Sequence, residues 1–278
     1  MLLTPRYDGE PLLRFVVSQA DPARPVVRQR LRLGAILAGL DDEQWAAPTR
    51  CESWSVRDVV SHLVSTNHFW AISASAGLAG TPTKILATFD PVTSPARLVD
   101  DQRSVPAAAI LEQYEESTAS LVELLEGLDE GAWEALAEAP PGHVALSAVM
   151  AHALWDAWVH ERDILLPLGL DPAVEPDEVA VSLAYAATLG PGFAVATGST
   201  RRGRLAVRAT DPEVLFVVEV DGFVHVREGE ADPGTPCLAG RAVDLLEGLS
   251  LRGPLVHQLA ADDRWLVEGL DVVFDQTG

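Results

Sequence analysis

Apolar residues along the first 170 positions recur at helical spacing, and the remaining hundred carry short strand-like runs. The first helical stripe follows Asp21-Pro22, an N-cap with proline at the first helical position. It runs through Val26, Leu31, Leu33, Ile36 and Leu37 and ends near Gly39. Ser55-Val56-Arg57-Asp58 reads as a capping box, and behind it Val59, Val60, Leu63, Val64, Phe69, Trp70 and Ile72 predict a second helix reaching Gly77 or Gly80. A third stripe starts at Pro106 and passes through Ile110, Leu111, Tyr114, Leu121, Leu124 and Leu125 to Gly127. Pro140-Pro141-Gly142 breaks the chain before a fourth helix, for which Ser147 is the expected N-cap and Pro167 and Gly169 the stop. Residues 41–53 and 80–104 read as connections, the latter with room for one helical turn, and residues 12–17 as a short strand or turn of helix. Four amphipathic helices make a bundle.

Beyond the proline-marked segment at Pro172 and Pro176 the pattern predicts a helix over 177–187 and strands over 205–207, 214–220 and 223–226. Asp221-Gly222 is a two-residue hairpin signal between the last two strands. A further strand is expected at 236–239 and a helix at 241–249. The expected organisation is a helical domain over 1–170 and a smaller α+β domain over 171–278.

Charge narrows the partners. Twenty Lys and Arg against 41 Asp and Glu leave a net charge of −21, which argues against nucleic acid and anionic membranes, since both call for basic patches. No apolar run is read as a membrane span. Cys51 and Cys237 lie far apart with no metal spacing, and with no signal peptide evident the expectation is a reducing cytoplasm. Cys51 itself reads as structural. A small-molecule ligand and a monomer or homodimer complete the picture.

The candidate chemistry lies on the fourth helix. Asp156 and His160 are four apart and share a face, amid Leu154, Trp155, Trp158, Val159 and Ile164. A carboxylate and an imidazole at that spacing can bind one divalent ion, as the two histidines of the helical H-E-x-x-H motif do. His62, in the middle of the second helix, can face them and supply a third ligand, which leaves a coordination position open. The bland alternative is a satisfied core histidine beside an Asp156–His160 pair. His152 lies on the same stripe but about 12 Å from His160 at 1.5 Å per residue, too far to share the ion, and so reads as a substrate-facing or supporting group. Trp54 and Trp155 are candidate pocket walls, with core packing as the alternative.

Three stretches carry a resemblance. W-A-A-P-T-R-C-E-S-W-S-V-R-D-V-V-S-H at 45–62 and D-A-W-V-H-E-R-D at 156–163 resemble the mycothiol-dependent maleylpyruvate isomerases, of the DinB-like four-helix superfamily. T-P-C-L-A-G-R-A-V-D-L-L-E-G-L at 235–249 is similar to the family's C-terminal domain. The resemblance implies a metal held by His62, Asp156 and His160, with zinc expected, although the family pattern has Glu where this chain has Asp156. It also implies a low-molecular-weight thiol such as mycothiol as cosubstrate, in an isomerase or S-transferase acting on a small electrophile. An arginine of the C-terminal domain is implied too, and Arg201, Arg202, Arg204 and Arg241 are the candidates. A non-catalytic binding protein and a metal-dependent hydrolase stay open as alternatives.

Overall fold

In the computed structural model, which describes residues 5–16, 22–91 and 93–270, the helical half is built on four long helices. They are α1 (Ala23–Leu37), α3 (Val56–Leu78), α5 (Ala107–Leu125) and α6 (Leu146–Leu165). Two shorter helices, α2 (Asp42–Ala46) and α4 (Thr93–Asp101), occupy segments expected as connections. The α2 turn forms because Asp41 and Gln44 cap each other reciprocally, and Ser55 and Asp58 do the same for α3 as expected. Pro22 stands at the N-cap of α1, and the expected cap residue Asp21 lies outside the described residues.

The break before α6 is a hairpin, β2 (Leu136–Ala139) against β3 (Gly142–Ala145). Because β3 runs straight into α6, the N-cap is Ala145 and not Ser147, whose hydroxyl is buried inside the helix with no hydrogen-bond partner. Gly77 lets the hairpin lie on α3, since a Cβ there would come 2.7 Å from the Leu136 carbonyl oxygen. Gly142 sits at φ +124° with the Arg6 backbone against it, an approach no side chain allows.

The second half contains α7 (Pro176–Ala196), β4 (Arg202–Thr210), β5 (Val214–Asp221), β6 (Val224–Glu228), β7 (Cys237–Arg241) and α8 (Ala242–Leu249). The expected Asp221-Gly222 hairpin joins β5 and β6. The sheet has five strands in the order β1-β6-β5-β4-β7, where β1 (Leu13–Val16) comes from the N-terminal end of the chain and pairs parallel to β6. α7 continues nine residues past the expected 187, through Pro191. Its apolar stretch is long enough to cross a membrane and was missed in the sequence pattern; here it is mostly buried, packed between α6, α8 and the sheet. One hydrophobic core joins α6, α7 and the sheet, and a second, smaller one lies among α1, α3 and α5 at the far side of α6.

α6 is buried nearly all round, as a helix at the centre of a fold must be. Charged groups at its contacts with α1 and α7 are paired. Arg32 of α1 grips Glu161 of α6 and Glu178 of α7 with two bonds each, between 2.7 and 2.9 Å, and Arg28 bonds Glu178 and Asp177. Arg30, 1 % exposed, donates to Asn67 of α3 and to the carbonyls of Val26 and Ala153. These contacts fix the rotation of α6 and hence the direction its Asp156 and His160 face.

Candidate metal centre

α3 and α6 cross where His62 meets Asp156 and His160. Both Nε2 atoms address the same oxygen, Asp156 Oδ1, at 3.7 Å from His62 and 3.6 Å from His160. The three donor atoms lie within 4.8 Å of one another. These separations are too long for hydrogen bonds. Ligands held at about 2.1 Å around a tetrahedral ion, by contrast, sit about 3.4 Å apart. Asp156 Oδ2 is buried with no hydrogen-bond partner, a cost that a cation in the site would remove. The donor set and its spacing fit a divalent metal such as zinc.

Burial alone would push the Asp156 carboxyl up, but His62 and His160 hold it well below the usual range. Its neighbour Asp163 is fully buried and also held low, against its burial, by hydrogen bonds from His160 and Arg252. Asp163 Oδ2 stands 3.1 Å from His160 Nδ1. That contact keeps one ring proton on Nδ1, so the proton a metal would displace is the one on Nε2, which faces Asp156, the usual support for a metal-binding histidine. Burial lowers the His160 pKa, yet Asp163, Cys51 and Asp156 together outweigh it and raise the value in the metal-free chain to about 10.

Asp163 is itself held from two sides. Arg50 donates to Oδ1 at 2.9 Å from the loop before α3, and with its other nitrogens clasps Glu247 of α8. Arg252, just beyond α8, donates to both oxygens. Cys51, expected as structural, also stands here, its Sγ 3.2 Å from Asp163 Oδ2 and 3.6 Å from His160 Nδ1, so it borders the site.

Of the expected pocket residues, Trp54 lies with its ring 5.4 Å from that of His62. Trp155 and His152 are neighbours on the preceding turn of α6, their rings 5.3 Å apart. The expected arginines lie elsewhere. Arg201 stacks over Trp265, Arg202 pairs with Asp221, Arg204 with Glu219 and Asp232, and Arg241 with Asp211. They flank or belong to strands β4 and β7, and their partners are neighbouring surface groups. The arginine that the second half sends to the centre is Arg252, in a short turn after α8 that carries no motif. Its only sequence signal is its position a few residues past the resembling stretch at 235–249.

Residues 26–165, about half of the chain, match the family model of the mycothiol maleylpyruvate isomerase N-terminal domain. Among solved structures, the mycothiol-dependent maleylpyruvate isomerase and a histidine-to-alanine mutant of it are each 15 % identical at a TM-score of 0.57. Each likeness covers 84 % of this chain and 88 % of the other, so it extends through both halves of the fold. YfiT from Bacillus subtilis, described as a probable metal-dependent hydrolase with an unusual four-helix bundle topology, is 18 % identical at a TM-score of 0.42 over 59 % of this chain and 97 % of its own. No curated protein matches the chain significantly. A helical half that matches the family model, continued by a five-stranded mixed sheet with helices, makes this chain a member of the mycothiol maleylpyruvate isomerase N-terminal domain family.

Proposed function

We propose that this chain is a metal-dependent enzyme in which a low-molecular-weight thiol, mycothiol or a close analogue, attacks a small electrophile in an isomerisation or S-transfer. The observation that carries the reading is the convergence of His62 Nε2, Asp156 Oδ1 and His160 Nε2 beside the unpartnered Asp156 Oδ2. Those three residues would hold zinc, which would supply an open coordination position and make a thiol there acidic enough to ionise at neutral pH.

The chain's own residues do the rest. Asp163 keeps His160 in one tautomer, and Arg50 and Arg252 keep Asp163 charged. Trp54, whose ring lies against that of His62, and Trp155, on the turn of α6 that carries Asp156, border the site with aromatic surface. Asp in place of the family's Glu brings the carboxylate closer to α6, and His62 and His160 both still reach it.

Metal analysis of the purified chain, followed by mass spectrometry of the zinc-loaded protein with mycothiol and a small electrophile, tests the reading. One zinc per chain and a thiol-dependent product are expected. A folded chain that takes up no metal, or turnover that added thiol does not change, overturns it; the latter result would favour hydrolysis.

A further inference from the structure

One turn before Asp156, on the same face of α6, stands a second unmatched polar group. His152 is 7 % exposed and enclosed by Trp70, Trp155 and Tyr185, with ring centroids 4.6, 5.3 and 4.8 Å from its own. Its Nδ1 lies 2.5 Å from the hydroxyl of Tyr185, a residue of α7 that is 1 % exposed. Among the described residues that hydroxyl has no other hydrogen-bond partner. A buried phenol cannot leave its proton unbonded without cost, so Tyr185 donates and Nδ1 accepts. The imidazole, held neutral by burial, which lowers its pKa to about 4, then carries its proton on Nε2. Nε2 has no protein partner among the described residues. The neighbouring Trp155 is fixed in turn by its Nε1 bond to Ser250 Oγ, 2.8 Å, from the end of α8.

Two successive turns of α6 thus present a lone N–H donor and, at Asp156 Oδ2, a lone acceptor. The acceptor suits a cation. We infer that the donor is an oxygen-binding subsite: His152 is a catalytic residue that gives its Nε2–H to the carbonyl or carboxylate oxygen of an α,β-unsaturated substrate, and Tyr185 is the positioning residue that fixes its tautomer. The inference rests on the thiol-dependent reading given above. As the S–C bond forms, the C=C π pair moves toward the carbonyl oxygen, and the hydrogen bond from Nε2 meets the charge where it develops. When the S–C bond breaks, the pair returns to restore the double bond and the thiolate leaves. The proton stays on nitrogen throughout.

Maleate, a cis-unsaturated dicarboxylate, is a suitable probe for calorimetry on the zinc-loaded protein, beside nitrogen-15 spectra of the histidine rings. Expected are measurable maleate binding by the wild type, at least tenfold weaker binding by His152→Leu, and partial recovery in His152→Asn, whose amide still donates. Tyr185→Phe should weaken maleate several-fold and convert a single Nε2–H tautomer at His152 into a mixture, with zinc content unchanged. Equal maleate affinity in wild type and His152→Leu, no maleate binding by zinc-loaded wild type, or an Nδ1–H tautomer in the wild type each overturns the assignment. A wild-type chain that folds but takes up no zinc overturns the thiol-dependent reading instead, and the tautomer measured in that metal-free protein still decides whether Tyr185 sets His152.

Discussion

The guanidinium of Arg252 meets the carboxylate of Asp163 side-on, Nε to Oδ1 and Nη2 to Oδ2, each at 2.8 Å. One partner lies on the central helix of the bundle and the other beyond α8, so the second half of the chain takes part in orienting His160 through a single carboxylate. Asp163→Asn should therefore weaken zinc about 10- to 100-fold, the usual cost of losing a residue that supports a metal ligand. Arg252→Met should weaken it less, because Arg50 still bonds Asp163. Competition against a chromophoric chelator measures both, and equal affinity in all three proteins would refute the coupling.

His62→Ala should abolish metal uptake and leave the metal-free fold standing. The ring lies at the α3–α6 crossing with some solvent contact and its Nε2 makes no short hydrogen bond, so its loss costs about 1 kcal/mol in the metal-free state. Thermal melts with and without zinc read this out. Wild type should gain stability on loading by mass action, and the variant should gain none. A variant that fails to fold without metal would make His62 a core residue first.

Glu178 is fully buried and receives both Arg28 and Arg32. Its replacement by Ala should destabilise the chain by about 3 kcal/mol, because a buried ion pair broken from one side leaves charge uncompensated. Urea unfolding measures the loss. Arg32 would still hold Glu161 of α6, so zinc affinity should change little by comparison.

Acid should unfold the protein in part through Asp163. Its pKa is depressed in the folded state, while an unfolded aspartate titrates near 3.9, so its contribution is complete above that value and is lost as pH falls toward the folded pKa. In the metal-free chain His160 runs the opposite way. With a folded pKa of about 10, its contribution is complete below about 6.5 and fades as pH rises through the folded value. Asp163→Asn should flatten both limbs, and denaturant midpoints from pH 2 to 10 would show it.

The helices and the triad were legible because each rests on local spacing. Ser55 and Asp58 announce α3, and the four-residue interval between Asp156 and His160 puts them on one face. Less local features escaped. The β2–β3 hairpin is drawn from Leu-Ala-Glu-Ala and a proline pair, with no β-branched alternation to mark it, and is held by α3 and by the fully buried Glu138, which accepts bonds from Tyr7, Thr83 and two backbone amides. Nothing local marks Arg28, Arg30 and Arg32 as ion-pairing or buried, because their partners sit on helices far along the chain. Arg252 was invisible for the same reason. A bidentate contact across 89 positions leaves no local periodicity.

The pairing of β1 with β6 ties the beginning of the chain to its last third. A protease cut in the stretch between α6 and α7 would leave the severed pieces woven together, since the leading fragment owns one border of the sheet and the trailing fragment owns the rest. Separated, the trailing piece would bare the β6 flank to any passing strand and the leading piece would carry a ribbon with nothing to bind. The two halves should persist as one body after such a nick, with the grip on zinc outlasting the continuity of the backbone.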